Sequence, residues 1–445
     1  MGVDRFRVDP TYRRIADGSV ILGGAPLRLF RLSPGGQRVA AAIERGERLA
    51  GAHRPLTDRL SDAGAIQPEP ATGPFTPADV TVVMPAHGAL PLTSADPEAS
   101  ATIVVDDASA PAITAPAGVT VIRRTVNGGP GAARNTGLAA VTTPLVAFVD
   151  TDVRAAPGWM AALLVHFADE RVAAVAPRVR AEPGDGLVAR YEQGRSPLDL
   201  GPLADRVQPG GRVSYVPAAA LVCRVDALRA VGGFDEGRRV GEDVDLLWRL
   251  HEAGWRCRYE PASVVTHRSR PTAWAMLRQR ADYGSSAAPL AARHRRAVPA
   301  LRLSPWTAAV WCLLAARRPL PAAAVAAVTG ALLQRKLRGI PASTAWTLAL
   351  GGHARAGVPI AAALRRTWWP VTLAAAVTCR RARVPAAAAA LPLLTGYRRT
   401  DRSVAPPVWL GMAVADDAAY GWGVWRGVVR TRRLDPLLPD YRSAR

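Results

Sequence analysis

Lysine is almost missing from this chain: Lys336 is the only one, and the other 56 basic residues are arginines. With Ala, Gly and Pro abundant, this pattern points to a GC-rich coding bias, so a single arginine is weak grounds for a phosphate site. Cysteine is scarce as well. Cys223, Cys257, Cys312 and Cys379 form no C-x-x-C pair and have no histidine at zinc spacing. That argues against a disulfide framework and fits four reduced thiols in a cytoplasmic protein. The start, Met1-Gly-Val-Asp-Arg-Phe-Arg, lacks an apolar stretch of signal-peptide length, so export is not expected. No uncharged run reaches the roughly 18–20 residues that span a bilayer. Neither a G-x-G-x-x-G dinucleotide fingerprint nor a P-loop is present.

Acidic residues are missing from one region only. Residues 293–445 hold 24 Lys+Arg against 5 Asp+Glu, a net charge of +19, whereas residues 1–292 hold 33 Arg against 31 Asp+Glu. The coding bias acts on both parts, so the asymmetry survives it. In the basic part, the uncharged runs Leu303–Ala316, Pro319–Gln334, Thr367–Cys379 and Val384–Tyr397 alternate with Arg clusters, and eight of the twelve Trp residues lie here. Short apolar helices with Trp beside cations suit an interfacial module drawn to anionic lipid. A partly buried helical domain in an Ala-rich protein accounts for the same composition.

Three parts follow along the chain. In residues 1–74, Ser19–Gly24 and Leu27–Leu32 read as strands around a Gly turn. Helices are expected over Arg38–Ala50, where Val39, Ala42, Ile43 and Leu49 recur at helical spacing, and over Pro55–Ala63. This is a winged-helix-like α+β module, and Gly64–Pro77 reads as its linker. From residue 75 to 297 the pattern is α/β. Val80–Pro85, Ala101–Asp107, Val119–Ile122 and Pro144–Asp150 are apolar runs of buried parallel strands in a Rossmann-like open sheet, with polar groups at their carboxyl ends. A helix from Gly131 to Ala140 joins the last two. Residues 298–445 form the mainly helical, basic region.

The chemistry-bearing residues cluster at strand ends. Asp150-Thr-Asp152 closes the fourth strand, and two carboxylates at alternate positions there can share a hard cation and present it to a diphosphate; a solvated loop explains many such matches. Asp106 and Asp107 close the second strand. A carboxylate there can bind a nucleobase imide or ribose, or simply fix a turn. Asn127-Gly-Gly-Pro-Gly-Ala-Ala-Arg134 is a Gly-rich turn into a helix, whose N–H groups and Arg134 suit a phosphate. Glu242 and Asp243 open a further helix. The helix dipole alone favours acids in a first turn, and the functional alternative is a base that deprotonates an acceptor hydroxyl. His267 leaves the next strand as a structural histidine or a metal or phosphate ligand.

Taken in order, V-x-x-V-M-P, V-V-D-D-x-S, N-x-G-x-x-x-A-R-N-x-G, F-V-D-x-D, G-G-F-D-E and E-D before Leu and Arg resemble the family 2 glycosyltransferases of GT-A fold, over about residues 80–270. The resemblance implies inverting single-displacement transfer from a nucleotide sugar. By that analogy Asp243 is the base with Glu242 beside it, and Asp152 is the main metal ligand, with His267, for Mg2+ or Mn2+. Asp106 contacts the nucleobase, and Pro85, Asp107, Arg134 and Asp150 line the donor. A closer likeness is to the glycosyltransferases of mycofactocin biosynthesis. It is carried by Leu22-Gly-Gly-x-Pro-Leu-Arg-Leu, Arg190-Tyr-Glu-x-x-Arg-Ser-x-Leu-Asp-Leu-Gly201, Val213-Ser-Tyr-Val-Pro-Ala-Ala-Ala-Leu and Tyr283-Gly-Ser-Ser-Ala-Ala-Pro-Leu-Ala-x-Arg-His294. This likeness implies β-linked, 1,4-connected glucose, from UDP-glucose, added to a peptide-derived redox cofactor or its precursor. Tyr191, Arg195, Tyr215, Trp248 and Arg280 are then acceptor contacts, and the N-terminal module looks like a winged-helix peptide-recognition domain.

Two departures stand out. Between Pro85 and Ile103 the chain is short and contains two prolines, where the family places a crossover helix. The Q-x-x-R-W signature of processive synthases is replaced around Leu277-Arg-Gln-Arg-Ala-Asp-Tyr-Gly, which implies short oligosaccharides rather than extruded polymer. The expected setting is the cytoplasm, at the inner face of the cell membrane. The rivals are a transferase acting on a lipid or cell-wall acceptor and a non-catalytic recruiting protein on the same fold. No aromatic-basic motif supports nucleic-acid binding.

Overall fold

The computed structural model describes residues 4–88, 98–114, 117–295, 297–398, 400 and 403–441. The short, proline-containing stretch after Pro85 lies largely outside them. The chain forms two compact units, one of residues 1–183 and 195–269, the other of residues 184–194 and 270–445.

The first unit opens with a small module. Strand β1 (Phe6–Val8) pairs antiparallel with β5 (Ile66–Pro68), and β2 (Arg13–Ile15), β3 (Val20–Gly23) and β4 (Arg28–Arg31) form a meander. Helix α1 (Pro34–Glu44) starts where Ser33 accepts the Gly36 N–H at 3.2 Å and Pro34 takes the first position. It buries Val39, Ala40 and Ile43 against Ile21, Phe30 and Leu60 of α2 (Arg54–Asp62). The linker is shorter than the sequence suggests. Ile66 is fully buried and its strand closes the module, because an apolar residue between Ala65 and Gln67 has a core to enter. The module docks on the sheet through arginines: Arg212 pairs with Asp9 at 2.8 Å, and Arg256 with Asp62 at 2.7 Å.

Among the described residues the sheet has nine strands in the order β10-β14-β11-β13-β9-β6-β7-β8, with β12 beside β14. They are β6 (Val80–Ala86), β7 (Ala101–Asp107), β8 (Val119–Arg124), β9 (Leu145–Val149), β10 (Val153–Ala155), β11 (Val172–Ala181), β12 (Asp205–Val207), β13 (Ala220–Arg224) and β14 (Arg256–His267). Strands β9, β6, β7 and β8 run parallel, and β13 is inserted antiparallel to β9. From β6 the chain winds first toward β7 and β8, then returns to the other side as β9. That reversal opens a crevice at the carboxyl ends of β6 and β9, where ligands bind in open α/β sheets. Helix α3 (Pro130–Ala139) lies flat on this part of the sheet. A Cβ at Gly137 would stand 2.3 Å from Val83 Cγ1, so only glycine allows that approach. The sheet ends at His267, and residues 270–297, which the sequence assigns to the sheet domain, group with the second unit.

The second unit is helical. Its longest helix, Pro406–Thr431, packs on Ala273–Ser285 through small residues; a Cβ at Gly423 would meet the Ala281 carbonyl oxygen at 1.9 Å. Among the described residues, no helix is long and apolar enough to cross a membrane.

Candidate active site

Each acidic centre is placed by its strand or helix end. Val149 is the last paired residue of β9, and the Asp150 N–H donates to the Ala219 carbonyl at 2.9 Å, holding the strand end against β13. Helix Glu242–Glu252 begins after Gly241 at φ +77°, a left-handed turn that aims its first residues at the same crevice. Between them stands Arg134, buried in α3. Its Nη2 donates to Asp150 Oδ1 at 2.7 Å and its Nη1 to Glu242 Oε1 at 2.8 Å, while its guanidinium lies 5.4 Å from the centre of the Phe234 ring. Burial works against its charge, but the Asp150 and Glu242 carboxylates more than offset that and raise its pKa. The sequence aims Arg134 at a phosphate; the fold turns it inward, as a clamp joining the two acidic centres.

Burial pushes the Glu242 carboxyl up to about 7, reinforced by the neighbouring Asp243 charge and opposed by Arg134. Asp243 is the more exposed of the two by surface area. Its Oδ2 accepts the Ala218 N–H at 3.2 Å and its Oδ1 the Val244 N–H at 2.7 Å. Burial of the carboxyl raises its pKa against the pull of Arg134 and these two donors. A carboxylate held in this way is chemically able to accept the proton of a hydroxyl.

Asp152 Oδ1 lies 3.3 Å from His267 Nε2, because β10 pairs with the end of β14. No group of three or more His, Cys, Asp or Glu able to cage a metal occurs among the described residues. A carboxylate and an imidazole are donor types that could together hold a divalent cation, if other oxygen ligands completed the site.

Asp106 and Asp107 act first on the chain itself. Burial would raise the Asp106 pKa, but its hydrogen bonds with Ser109 and Ile113 and the Arg123 charge hold it below the ordinary carboxylate range. Asp107 accepts from Arg124 at 2.8 Å and from the Gly128 and Gly129 N–H groups at 3.0 and 2.7 Å, fixing the Gly-rich turn. Sequence reasoning missed both arginines. The β7–β8 register places Asp106 opposite Arg123 and Asp107 opposite Arg124, on a strand that runs two residues past the Ile122 where the sequence ends it. It also missed His87, exposed just past β6, whose Nδ1 is 3.0 Å from the Asp107 carbonyl. Pro85 sits on β6 opposite Val105.

The family model described as "Glycosyl transferase family 2" matches residues 94–231. The pre-mycofactocin glycosyltransferase of Mycobacterium tuberculosis is 40% identical over 98% of this chain and 97% of its own length. The chain belongs to the family 2 glycosyltransferases. It is also 39% identical to the N-acetylglucosaminyl-diphospho-decaprenol L-rhamnosyltransferase of M. tuberculosis, over 16% of this chain and 24% of that protein. Among solved structures, a mannosyltransferase from Pyrobaculum calidifontis in complex with GDP-Man and Mn2+ aligns at 18% identity with a TM-score of 0.42, over 84% of this chain and 94% of that one.

Within this glycosyltransferase, the expected acceptor contacts divide. Trp248, on the helix of Glu242 and Asp243, donates its Nε1–H to the Ser214 carbonyl at 2.7 Å, next to Tyr215 in the loop before β13. Arg195 ends the helix Leu187–Arg195. Tyr191 and Arg280 belong to the second unit, 0% and 2% exposed. Tyr191 Oη donates to Asp416 at 2.9 Å, and Arg280 pairs with Asp416 at 3.0 Å and with Glu192. Enclosed in this way, the two side chains hold helices together.

Proposed function

We propose that the chain transfers a hexose, glucose from UDP-glucose, with inversion, to mycofactocin or its peptide-derived precursor, building short β-1,4-linked oligosaccharides. The observation that carries this reading is the clamp of Arg134 between Asp150 and Glu242, in a chain 40% identical end to end to a pre-mycofactocin glycosyltransferase. In the proposed reaction, Asp243 takes the acceptor proton as the hydroxyl oxygen attacks the anomeric carbon and the nucleoside diphosphate leaves. Asp152 and His267 are the proposed holders of Mg2+ or Mn2+, which would neutralise the leaving diphosphate. Glu242 and Arg134 keep the base in place, Asp106, Asp107, Asp150 and Pro85 shape the donor side, and Tyr215 lines the acceptor side, its loop held by the buried Trp248.

The N-terminal module is the proposed acceptor-recognition element. A cleft of about 970 Å³ runs between α1, α2 and the loop joining them, with Arg38, Arg48 and Arg59 around Leu49 and Leu56, suiting an acidic peptide. The second unit is the proposed contact with an anionic membrane surface at the cytoplasmic face. Mass spectrometry of donor and acceptor screens tests the assignment. A hexose increment on the peptide-derived acceptor, lost on chelation and restored by Mn2+, is expected. An increment other than a hexose, or labelling of lipid alone, would overturn it.

A further inference from the structure

Large apolar side chains are distributed unevenly over the surface. Of the 27 that are exposed among the described residues, 20 lie at or beyond Trp306. One such stretch is the helix Trp369–Thr378 and the turn after it. None of the residues of that helix is buried, and Val371, Leu373 and Val377 are 56%, 58% and 70% exposed. Arg380, Arg381 and Arg383 follow at once, all exposed, and then Val384 at 59%. No acidic residue occurs between Thr367 and Tyr397. A monomeric soluble protein rarely leaves such a surface to water.

Three features on this element choose its occupant. Ten helical residues extend about 15 Å, half the hydrocarbon thickness of a bilayer, which is too short to cross it. The arginines sit together at its carboxyl end, where lipid phosphates would meet them, and they also favour the negative end of the helix dipole. A second copy would bring an equally basic face, from a region of net charge +19, against this one. We propose that Trp369–Val384 is a lipid-seating element that inserts Val371, Leu373 and Val377 into one leaflet of an anionic bilayer, with Arg380, Arg381 and Arg383 on the phosphates. This deepens the membrane contact proposed above and rests on it.

The full-length enzyme is sedimented with vesicles of phosphatidylcholine, with and without phosphatidylglycerol. The wild type is expected to partition onto the anionic vesicles. Val371→Ser/Leu373→Ser/Val377→Ser lowers that partition by at least roughly tenfold, and Arg380→Gln/Arg381→Gln/Arg383→Gln reduces the preference for anionic lipid by roughly fivefold per arginine. A polarity-sensitive label on the exposed Cys379, in a Cys312→Ser background, shifts to the blue with anionic vesicles. Circular dichroism and transfer to a soluble acceptor check that each variant is folded. No binding by the wild type overturns both the membrane contact and this element. Wild-type binding that the triple variants retain in full, with an unshifted Cys379 label, overturns the element alone. A dimer that the serine variant dissociates, with lipid binding unaltered, assigns the face to a second copy and overturns it as well.

Discussion

The two units treat the same abundant residue in opposite ways. In the first, arginine meets carboxylate almost one for one, and the pairs are built into the structure: Arg134 with Asp150 and Glu242, Arg123 with Asp106, Arg124 with Asp107, Arg256 with Asp62. In the second, acids are few: Asp416 and Asp417 are taken up inside by Arg280 and Arg365, and the arginines far outnumber the carboxylates. Arginine therefore fixes geometry wherever a carboxylate is buried with it, across the first unit and at Asp416 and Asp417 in the second, and the second unit's surplus sets a surface potential. Composition alone cannot tell these uses apart, because what separates them is the local supply of carboxylate.

The largest expected effect breaks the first unit's chemistry without breaking its pairs. Asp243→Asn keeps a hydrogen-bond acceptor for the Ala218 N–H but cannot take a proton. Its kcat is expected to fall by roughly 10²–10⁴, with donor binding by calorimetry retained. Near-normal turnover would remove Asp243 from the base role. Arg134→Gln comes next, since it strands two carboxylates at a buried site. Breaking a buried pair in this way costs about 3–5 kcal/mol, so chemical denaturation should show a large loss, part of which Glu242→Gln restores in the double variant. A loss no larger than that of an exposed arginine would show that the clamp is not a structural pair.

Much of the first unit was legible because buried parallel strands are written as contiguous apolar runs; Leu145–Val149 is buried at every position, and its end had to carry Asp150. The strand Ile66–Pro68 was not legible. Three residues flanked by Gly, Pro and Glu look like linker until β1 is there to pair with them. The site was legible as a set of acids and illegible as a set of contacts. Asp106 and Arg123 are 17 residues apart and meet only through the β7–β8 register. Asp152 and His267 meet only because β10 folds back along β14. Tyr191 and Arg280 show the converse error, in which matching a family stretch marked residues whose side chains are enclosed.

A smaller effect follows from Glu242. Its folded pKa of about 7 lies above the ordinary 4.5, so the native state keeps a proton that the unfolded chain releases between those values. Stability from this group is fully present below pH 4.5 and is lost as pH rises through 7. The thermal midpoint of the wild type should therefore fall across that window more steeply than that of Glu242→Gln. Parallel profiles would mean that Arg134 holds Glu242 ionised throughout. The clamp would then be a fixed ion pair instead of a titrating one.

The smallest effect sharpens the comparison from the other side. Arg426 in the second unit pairs with Asp282 at 2.8 Å, with the two side chains 47% and 44% exposed. Water and salt screen such a pair, and ordering two long side chains offsets the attraction, so its contribution is about 0–1 kcal/mol. Arg426→Gln is expected to shift the denaturation midpoint barely at all, and raising the salt should abolish the shift. If Arg426 instead fixed geometry as Arg134 does, the loss would approach that of Arg134→Gln and persist at high salt. The two substitutions remove the same group from the same chain. Their ratio therefore measures how far burial and carboxylate supply, rather than residue type, decide what an arginine does.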